Sequence, residues 1–496
     1  MKKSFVNYRW CIFLCAACII VLRAPSLFSE PRFWCEEGTV FYAYAATHEW
    51  FEVLFRTHYD YLYGYLNLSS FLASRLVSLE YAPLVTTFMA FLAQLLPISI
   101  IIWGTSSVWN RPLKKIIAVM LVLFIPLTGE MWLNTLNSKT FFSLTIFLIL
   151  LEDMDNASRV RTWFYRLLLL ISGLASIECS FYLVVYLLKI WIERKKEYVI
   201  QTTFLLLSVI YQALGYFHIL MPAGERSLHT LQWIPVTILG GLMWRHHLVL
   251  PILGASASHH FGRSLLSLHD RNPLLFNAIG VVLFVMLVLL FVYFSRHLTP
   301  CKRLLFPASF VVVGFLTYMS MVIQPTIFEA FITGLCQRYF WVPSLIVLFM
   351  IFANLSFLDR PLSLSMPMRM TIGGVFALLY ATAFFYQQTY ALRYYLVPAF
   401  IIVSIGVSTL VFSKTPHISF REKIGAWLLL IVLINGIFFY RQYLYRPYPW
   451  KVIDATWPKW KEEVAQWRDD PTHVMKIWPP CCWEIKFLPE SIRRDE

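Results

Sequence analysis

The sequence predicts an all-α protein, a polytopic transmembrane helical bundle of about 13 spans, in the range of about 11–13. Three observations predict it. Of 496 residues, 58% are hydrophobic before the 19 glycines are counted, against roughly 45–50% with glycine included for a soluble domain. Charged residues make up only 14%, and apolar runs of spanning length recur from near the N-terminus to about Tyr440. The net charge of +14, from 42 Lys+Arg against 28 Asp+Glu, is gathered largely in short clusters between those runs. An ordinary cytosolic enzyme is excluded. A soluble basic chain would point to nucleic acid, but clusters between apolar runs read as positive-inside topology, so no nucleic-acid partner is expected.

The first segment carries Lys2, Lys3 and Arg9 and then runs apolar through Cys11, Leu14 and Ile20. A secretory signal has the same outline. No clear small-x-small cleavage site precedes Glu30, and the rest of the chain is itself membrane-like, so an uncleaved first helix is expected. Apolar runs between polar breaks place the spans near 9–27, 83–104, 115–128, 139–151, 164–175, 180–193, 200–220, 273–295, 303–325, 339–356, 369–387, 392–412 and 423–440. Several are short and need flanking residues to cross, and 164–175 with 180–193 also reads as one broken helix. Residues 61–79 are apolar enough for a helix but carry Asn67 and Arg75. Counting them as a span would move the later basic clusters outside, so an interfacial or re-entrant helix is expected there.

The clusters Arg111/Lys114/Lys115, Arg159/Arg161, Arg194/Lys195/Lys196, Arg296/Lys302/Arg303, Arg360/Arg369 and Lys414/Arg421/Lys423 then fall on one side. That side is read as cytoplasmic, with the N-terminus inside and the C-terminus outside. The chain divides into a bundle over 1–440, with outer segments at 23–80 and 221–271, and an outer tail over 441–496. The tail changes abruptly to polar, tryptophan-rich sequence and is expected to fold onto the first outer segment. The outer histidines His229, His246, His247, His259 and His260 lack ligand spacing on an evident helix, so no metal site is assigned and no cofactor is expected, with a divalent metal left open. The nine cysteines form no CxxC pairs, and a bond between the adjacent Cys481 and Cys482 would be strained, so no disulfide framework is indicated.

The sharpest local feature is Glu30-Pro-Arg-Phe-Trp-Cys-Glu-Glu-Gly-Thr-Val-Phe-Tyr-Ala-Tyr, just beyond the first span. Glu36 and Glu37 stand at the start of an expected amphipathic surface helix, with Phe41 and Tyr44 on its apolar face. One reading makes them surface acids that complement a helix dipole. The other makes one of them a general base, or a positioning carboxylate, for a sugar hydroxyl near the lipid headgroups.

Trp34-Cys-Glu-Glu-Gly-x-Val-Phe resembles the acidic first external loop of GT-C-type integral-membrane glycosyltransferases, where an Asp or Glu follows the first span. His58-Tyr-Asp-Tyr-Leu-Tyr-Gly-Tyr-Leu, with Asp60, resembles the aromatic segment that re-enters the membrane in that fold. Asn134-Thr-Leu-Asn-Ser-Lys, after Glu130, resembles an Asn-centred motif of bacterial members, and Gln337-Arg-Tyr-Phe-Trp-Val-Pro resembles their Arg-Tyr-bearing helix start. The sequence has Glu-Glu-Gly where Glu-Asp-Gly is commoner, which leaves open which acid is catalytic; Phe41, four residues on, favours Glu37. The size, the outer loops and Pro479-Pro-Cys-Cys-Trp, with Cys481, Cys482 and Trp483, most resemble the phage-type serotype-converting O-antigen glucosyltransferases of enteric bacteria. The resemblance implies transfer of a glucosyl group from an undecaprenyl-phosphate carrier to O-antigen, or another polysaccharide, on the periplasmic face of the inner membrane.

A lipid-phosphate donor needs Arg or Lys at the outer interface. Arg338 is the first choice, with an interfacial anchor as its plainer role; Lys139 and Arg226 come next. Asn134 and Asn137, three apart, are candidates for sugar hydroxyls or for helix capping, and Asp60 and Tyr339 join the substrate-binding set through the resemblance. Trp34, Tyr61, Trp450, Trp457 and Trp460 are placed to stack on sugars or to form interfacial belts. No nucleotide-phosphate loop is visible, which agrees with a lipid-linked donor. Two rivals remain at this level: a flippase for lipid-linked saccharide, which needs charge in mid-span where Glu178 is the main instance, and an O-antigen polymerase.

Overall fold

The computed structural model describes residues 2–58, 61–125, 131–216, 240–241, 243–322, 341–359, 418–438, 457–479 and 483–486. These residues are helical almost throughout, with two short antiparallel ladders besides, so the fold is all-α. The first half comprises α1 (Lys2–Arg23), α2 (Gly64–Leu76), α3 (Ala82–Trp103), α4 (Pro112–Phe124), α5 (Ser138–Leu150), α6 (Arg159–Ala175), α7 (Tyr182–Glu193) and α8 (Lys196–Tyr216). Local signals set their ends. Pro83 and Pro112 sit in the first turns of α3 and α4, where a missing N–H costs nothing. Ser158 Oγ accepts from Arg161 N at 3.4 Å at the start of α6, and Arg194, left-handed at φ 51°, ends α7.

Buried cations close two of the helix C-termini. Lys115 Nζ donates to the carbonyls of Ile101 (2.9 Å), Ile102 (2.8 Å) and Gly104 (3.0 Å), and Lys189 Nζ donates to Leu150 O at 2.5 Å. Such carbonyls lack intrahelical donors and carry the negative end of the helix dipole, so an ammonium answers both needs. Glu152 beside them accepts from Thr105 N (2.5 Å), Ser106 N (3.3 Å) and the Tyr165 hydroxyl (3.3 Å). Gly104 is demanded by this approach: a Cβ there would lie 2.4 Å from Glu152 Oε1.

Among the described residues the basic connectors collect at this same end of the bundle. Lys114 pairs with Asp359 at 2.8 Å and Lys195 with Asp155 at 2.5 Å, while Lys302 donates to Ser107 and Cys301 Sγ to Glu193 at 2.9 Å. Helices α3, α5 and α7 run toward this basic end; α1, α4, α6 and α8 run away from it. The second half adds α9 (Leu250–Arg271), α10 (Pro273–Ser295), α11 (Pro300–Val322), α12 (Trp341–Ala353) and α13 (Phe420–Phe438). Glu422 ties the start of α13 to the basic end by accepting from Ser356 Oγ (2.5 Å) and Phe357 N (3.2 Å).

Among the described residues, Leu79–Trp103, Lys196–Gly215 and Pro273–Ser295 are long and apolar enough to cross a membrane alone. Three helices meet that standard, against about 13 expected; the expected spans 369–387 and 392–412 lie outside the described residues. Helices α5 and α12 are apolar but have 13 residues each, about 20 Å, less than the roughly 30 Å of a bilayer core. Both are buried along their length, and the short α5 keeps its polar entry turn inside the bundle: Asn134, Thr135, Asn137 and Ser138 are all buried.

Two sequence readings change, and the alternative of one broken helix over 164–193 is set aside. Strand β1 (Thr57–His58) pairs antiparallel with β2 (Tyr61–Leu62), and only then does α2 begin. At 13 residues α2 is too short to span, and its buried Asn67 is answered by the carbonyls of Leu54 (3.3 Å) and Arg56 (2.8 Å). The pair 164–175 and 180–193 is two helices, because Ser176 is fully extended (φ −166°, ψ 146°) between them. Of the expected outer segment 221–271, residues 243–271 are helical. A π-helical turn, Arg245–Val249, leads into α9, which folds back at Gly254 (φ 88°) so that Arg245 Nε reaches Ser258 O at 2.9 Å. His246 and His247 are buried there, with His247 Nδ1 2.8 Å from Ser344 Oγ.

Candidate active site

At the end opposite the basic connectors, Arg23 closes α1: its guanidinium donates to Leu123 O at 3.1 Å and lies 4.3 Å over the Trp132 ring. The chain then forms the loop that carries the acidic motif. Cys35 is left-handed (φ 49°), and a π-helical turn, Glu37–Tyr42, follows. The extra residue of a π turn re-aims the side chains after it. Phe41 is therefore buried, but Tyr44 turns out to stack on His48 at 3.6 Å with the Arg56 guanidinium 3.8 Å above its ring. The expected surface helix with Phe41 and Tyr44 on one apolar face is thus corrected to a buried turn.

Glu37 is only 1% exposed, while Glu36 is half-buried. Glu37 Oε2 accepts from Trp34 N at 3.0 Å; Oε1 accepts from Thr135 N at 2.9 Å and also from the Thr135 hydroxyl. Burial pushes the Glu37 carboxyl above the ordinary carboxylate range, and the donors from Thr135 and Trp34, with the nearby Arg32 charge, oppose that rise without cancelling it. An ionised carboxylate has about four lone-pair sites. Three donors leave one site open, which is what a carboxylate needs to take one further proton.

Residues 131–137 supply the other wall. Leu133 is left-handed (φ 51°), and Asn134 Oδ1 accepts from Asn137 N (3.0 Å) and Asn137 Nδ2 (3.1 Å). The two asparagines do not share a helical face for sugar hydroxyls, because they lie in the turn before α5 and their side chains hold it in shape. Their turn presents Thr135. Lys139, a candidate phosphate ligand, is ion-paired to Glu178 at 3.1 Å, with side chains 16% and 27% exposed. The same pair supplies a countercharge for the carboxylate that a flippase reading would use.

The tail forms the roof. It comprises α14 (Trp460–Asp469) and an antiparallel ladder of β3 (Met475–Lys476) and β4 (Glu484–Ile485). Trp478 bridges to Trp34, its carbonyl accepts from Cys35 N at 2.7 Å, and its N–H donates to Phe33 O at 3.3 Å. Trp460 Nε1 donates to Leu79 O at 2.8 Å, and Arg468 pairs with Glu80. Gly38 is required for this seat, since a Cβ would come within 2.8 Å of both Ile477 Cδ1 and Phe33 Cβ. Trp483 serves the ladder, with its carbonyl accepting from Ile477 N at 3.1 Å.

Two site residues were not singled out in the sequence, Thr135 and Arg32. Arg32 is 2% exposed, and its guanidinium carbon lies 5.6 Å from the Trp34 ring and 5.4 Å from the Trp478 ring. Burial pulls its pKa down to about 10, against the nearby Glu37 charge. Both lie inside motifs already quoted, so an arginine directly before the aromatic pair Phe33-Trp34 was the available signal for Arg32. Asp60, Arg226, Arg338, Tyr339, Trp450, Cys481 and Cys482 lie outside the described residues. Among the described residues no His/Cys/Asp/Glu group is arranged to hold a metal ion. The chain has no significant similarity to any protein-family model, curated protein or solved structure.

Proposed function

We propose that the chain is a polytopic membrane glycosyltransferase that moves a hexosyl group, glucose in the O-antigen case, from an undecaprenyl-phosphate donor to a periplasmic glycan acceptor. The observation that carries this reading is the state of Glu37: buried, both oxygens positioned by donors, one acceptor site left, at the end of the bundle away from the basic connectors. A carboxylate so placed acts as general base. It takes the proton of an acceptor hydroxyl while that oxygen bonds to the anomeric carbon, and the bond from that carbon to the phosphate oxygen breaks, leaving the phosphate on the lipid. Glu36 supports it from the half-buried side. The proposal includes about 13 spans in the inner membrane, with the basic connectors in the cytoplasm and the tail in the periplasm.

The test is determination of O-antigen structure in cells with the chain, without it, and with Glu37→Gln. Glucosyl decoration present only with the unaltered chain supports the reading. Longer chains without a new side group favour the polymerase, and no change in any of the three ends the transferase reading.

A further inference from the structure

Arg32 is the least satisfied charge among the described residues. Its Nε, Nη1 and Nη2 are all shielded from solvent, and none has a hydrogen-bond partner. Glu37 is close enough for its charge to be felt, but no ion pair joins the two, and the donors that hold the Glu37 oxygens are Thr135 and Trp34. The rings of Trp34 and Trp478 face the guanidinium at 5.6 Å and 5.4 Å, with Trp457 packed edge-on behind Trp478 at 5.0 Å. Cation–π contact repays only part of the cost of burying a charge, and an unpaired buried guanidinium is otherwise a large penalty. A purely structural residue in this aromatic box would be apolar. The arginine is explained if its partner is a ligand.

The geometry points to Arg32 as the receptor of an oxyanion of the phosphate class, bound between the Trp34 and Trp478 rings in a site that the tail completes. Both sides of the guanidinium fork lack acceptors, and a terminal phosphate offers three oxygens where a carboxylate offers two. The chain's own carboxylate, although adjacent, is directed elsewhere. One wall comes from the loop and the other from Trp478, whose backbone is fixed by Cys35 and Phe33, so the anion would also bind the tail to the loop. The same chemistry fits a lipid phosphate headgroup and free phosphate. This inference takes the location of the site from the transferase reading, but it does not depend on sugar transfer.

The test uses the full chain in detergent, with inorganic phosphate, a ten-carbon prenyl phosphate and acetate as probes, read by direct binding and by thermal shift. Saturable phosphate binding that weakens by about tenfold or more in Arg32→Gln, and less in Arg32→Lys, is the expected result. Tighter binding of the prenyl phosphate assigns a lipid headgroup, and equal binding of the two assigns free phosphate; either supports the site. Without ligand, Arg32→Gln should melt at or above the unaltered protein, because it removes an unpaired charge, whereas a structural arginine would lower the melting point. Absence of phosphate binding, binding unchanged in Arg32→Gln, or acetate binding as tightly as phosphate overturns the proposal. Glu37→Gln keeps the separation clean: it should abolish transfer and retain phosphate binding.

Discussion

Thr135 donates twice to one carboxylate oxygen of Glu37, from its backbone N–H at 2.9 Å and from its hydroxyl. The two residues are 98 positions apart, and the bond joins the loop after α1 to the turn before α5. Because both sit at bundle elements fixed by packing, the carboxylate is held in place with little freedom. Thr135→Val removes only the hydroxyl. One of the forces that lowers the Glu37 pKa is then lost, so the acid limb of the activity profile should move to higher pH, with activity at neutral pH down by roughly tenfold. A uniform loss at all pH values would show that Thr135 serves folding alone.

Glu37→Gln removes the base and keeps the shape, so glycosylation of the acceptor should fall by about 10²-fold or more while the protein stays in the membrane. Stability gives a second readout with a defined sign. The folded-state pKa of Glu37 is raised above its unfolded value, so its contribution is fully present below the ordinary carboxylate range and is lost as pH rises through the raised value. Melting of the unaltered chain relative to Glu37→Gln should therefore decline as pH rises through that window. A difference independent of pH would mean that burial does not perturb this carboxyl.

The helical class was legible from composition and run length alone, and so was the grouping of Lys114, Lys195 and Lys302 at one end, because charge between apolar runs is a one-dimensional signal. The site was legible only in part. The acidic motif marks the loop, but nothing local says that Glu37 is buried and Glu36 half-exposed; that follows from contacts with Thr135 and Trp478, far away in sequence. The π turn hid the true face of residues 37–44, since periodicity arguments assume 3.6 residues per turn. The pairing of Lys139 was not legible for a related reason: its partner, Glu178, is 39 positions on.

Gly38→Val tests the seat of the tail. Its side chain would collide with Phe33 Cβ, which cannot swing away, and with Ile477 Cδ1. The tail should detach, seen as faster proteolysis within 457–479, while α3 to α8 stay protected. Equal protease sensitivity in the variant and the unaltered chain would show that the tail does not depend on this contact.

Lys139→Met separates pairing from ligand binding. The Lys139–Glu178 pair is partly exposed, so its loss should cost no more than about 1 kcal/mol of stability. Donor KM should stay within about twofold, because the ammonium is already committed to Glu178. A rise in donor KM of tenfold or more would return Lys139 to the phosphate site.

Orientation follows from two exposed residues at opposite ends of the bundle. Lys195 lies in the connector between α7 and α8 among the basic clusters, and Arg468 lies on α14 above the site. With the native cysteines replaced, Lys195→Cys and Arg468→Cys each offer one thiol, at positions whose side chains are 36% and 55% exposed. Positive-inside topology puts the first in the cytoplasm and the second outside. A membrane-impermeant maleimide should therefore label Arg468→Cys in intact spheroplasts and should reach Lys195→Cys only after the membrane is opened. The reverse pattern would put Glu37 on the cytoplasmic side, where no periplasmic glycan could reach it, and the proposed reaction would fail with it. Labelling of both in intact spheroplasts would mean that the two ends do not lie on opposite sides of the membrane, and the proposed topology would fail.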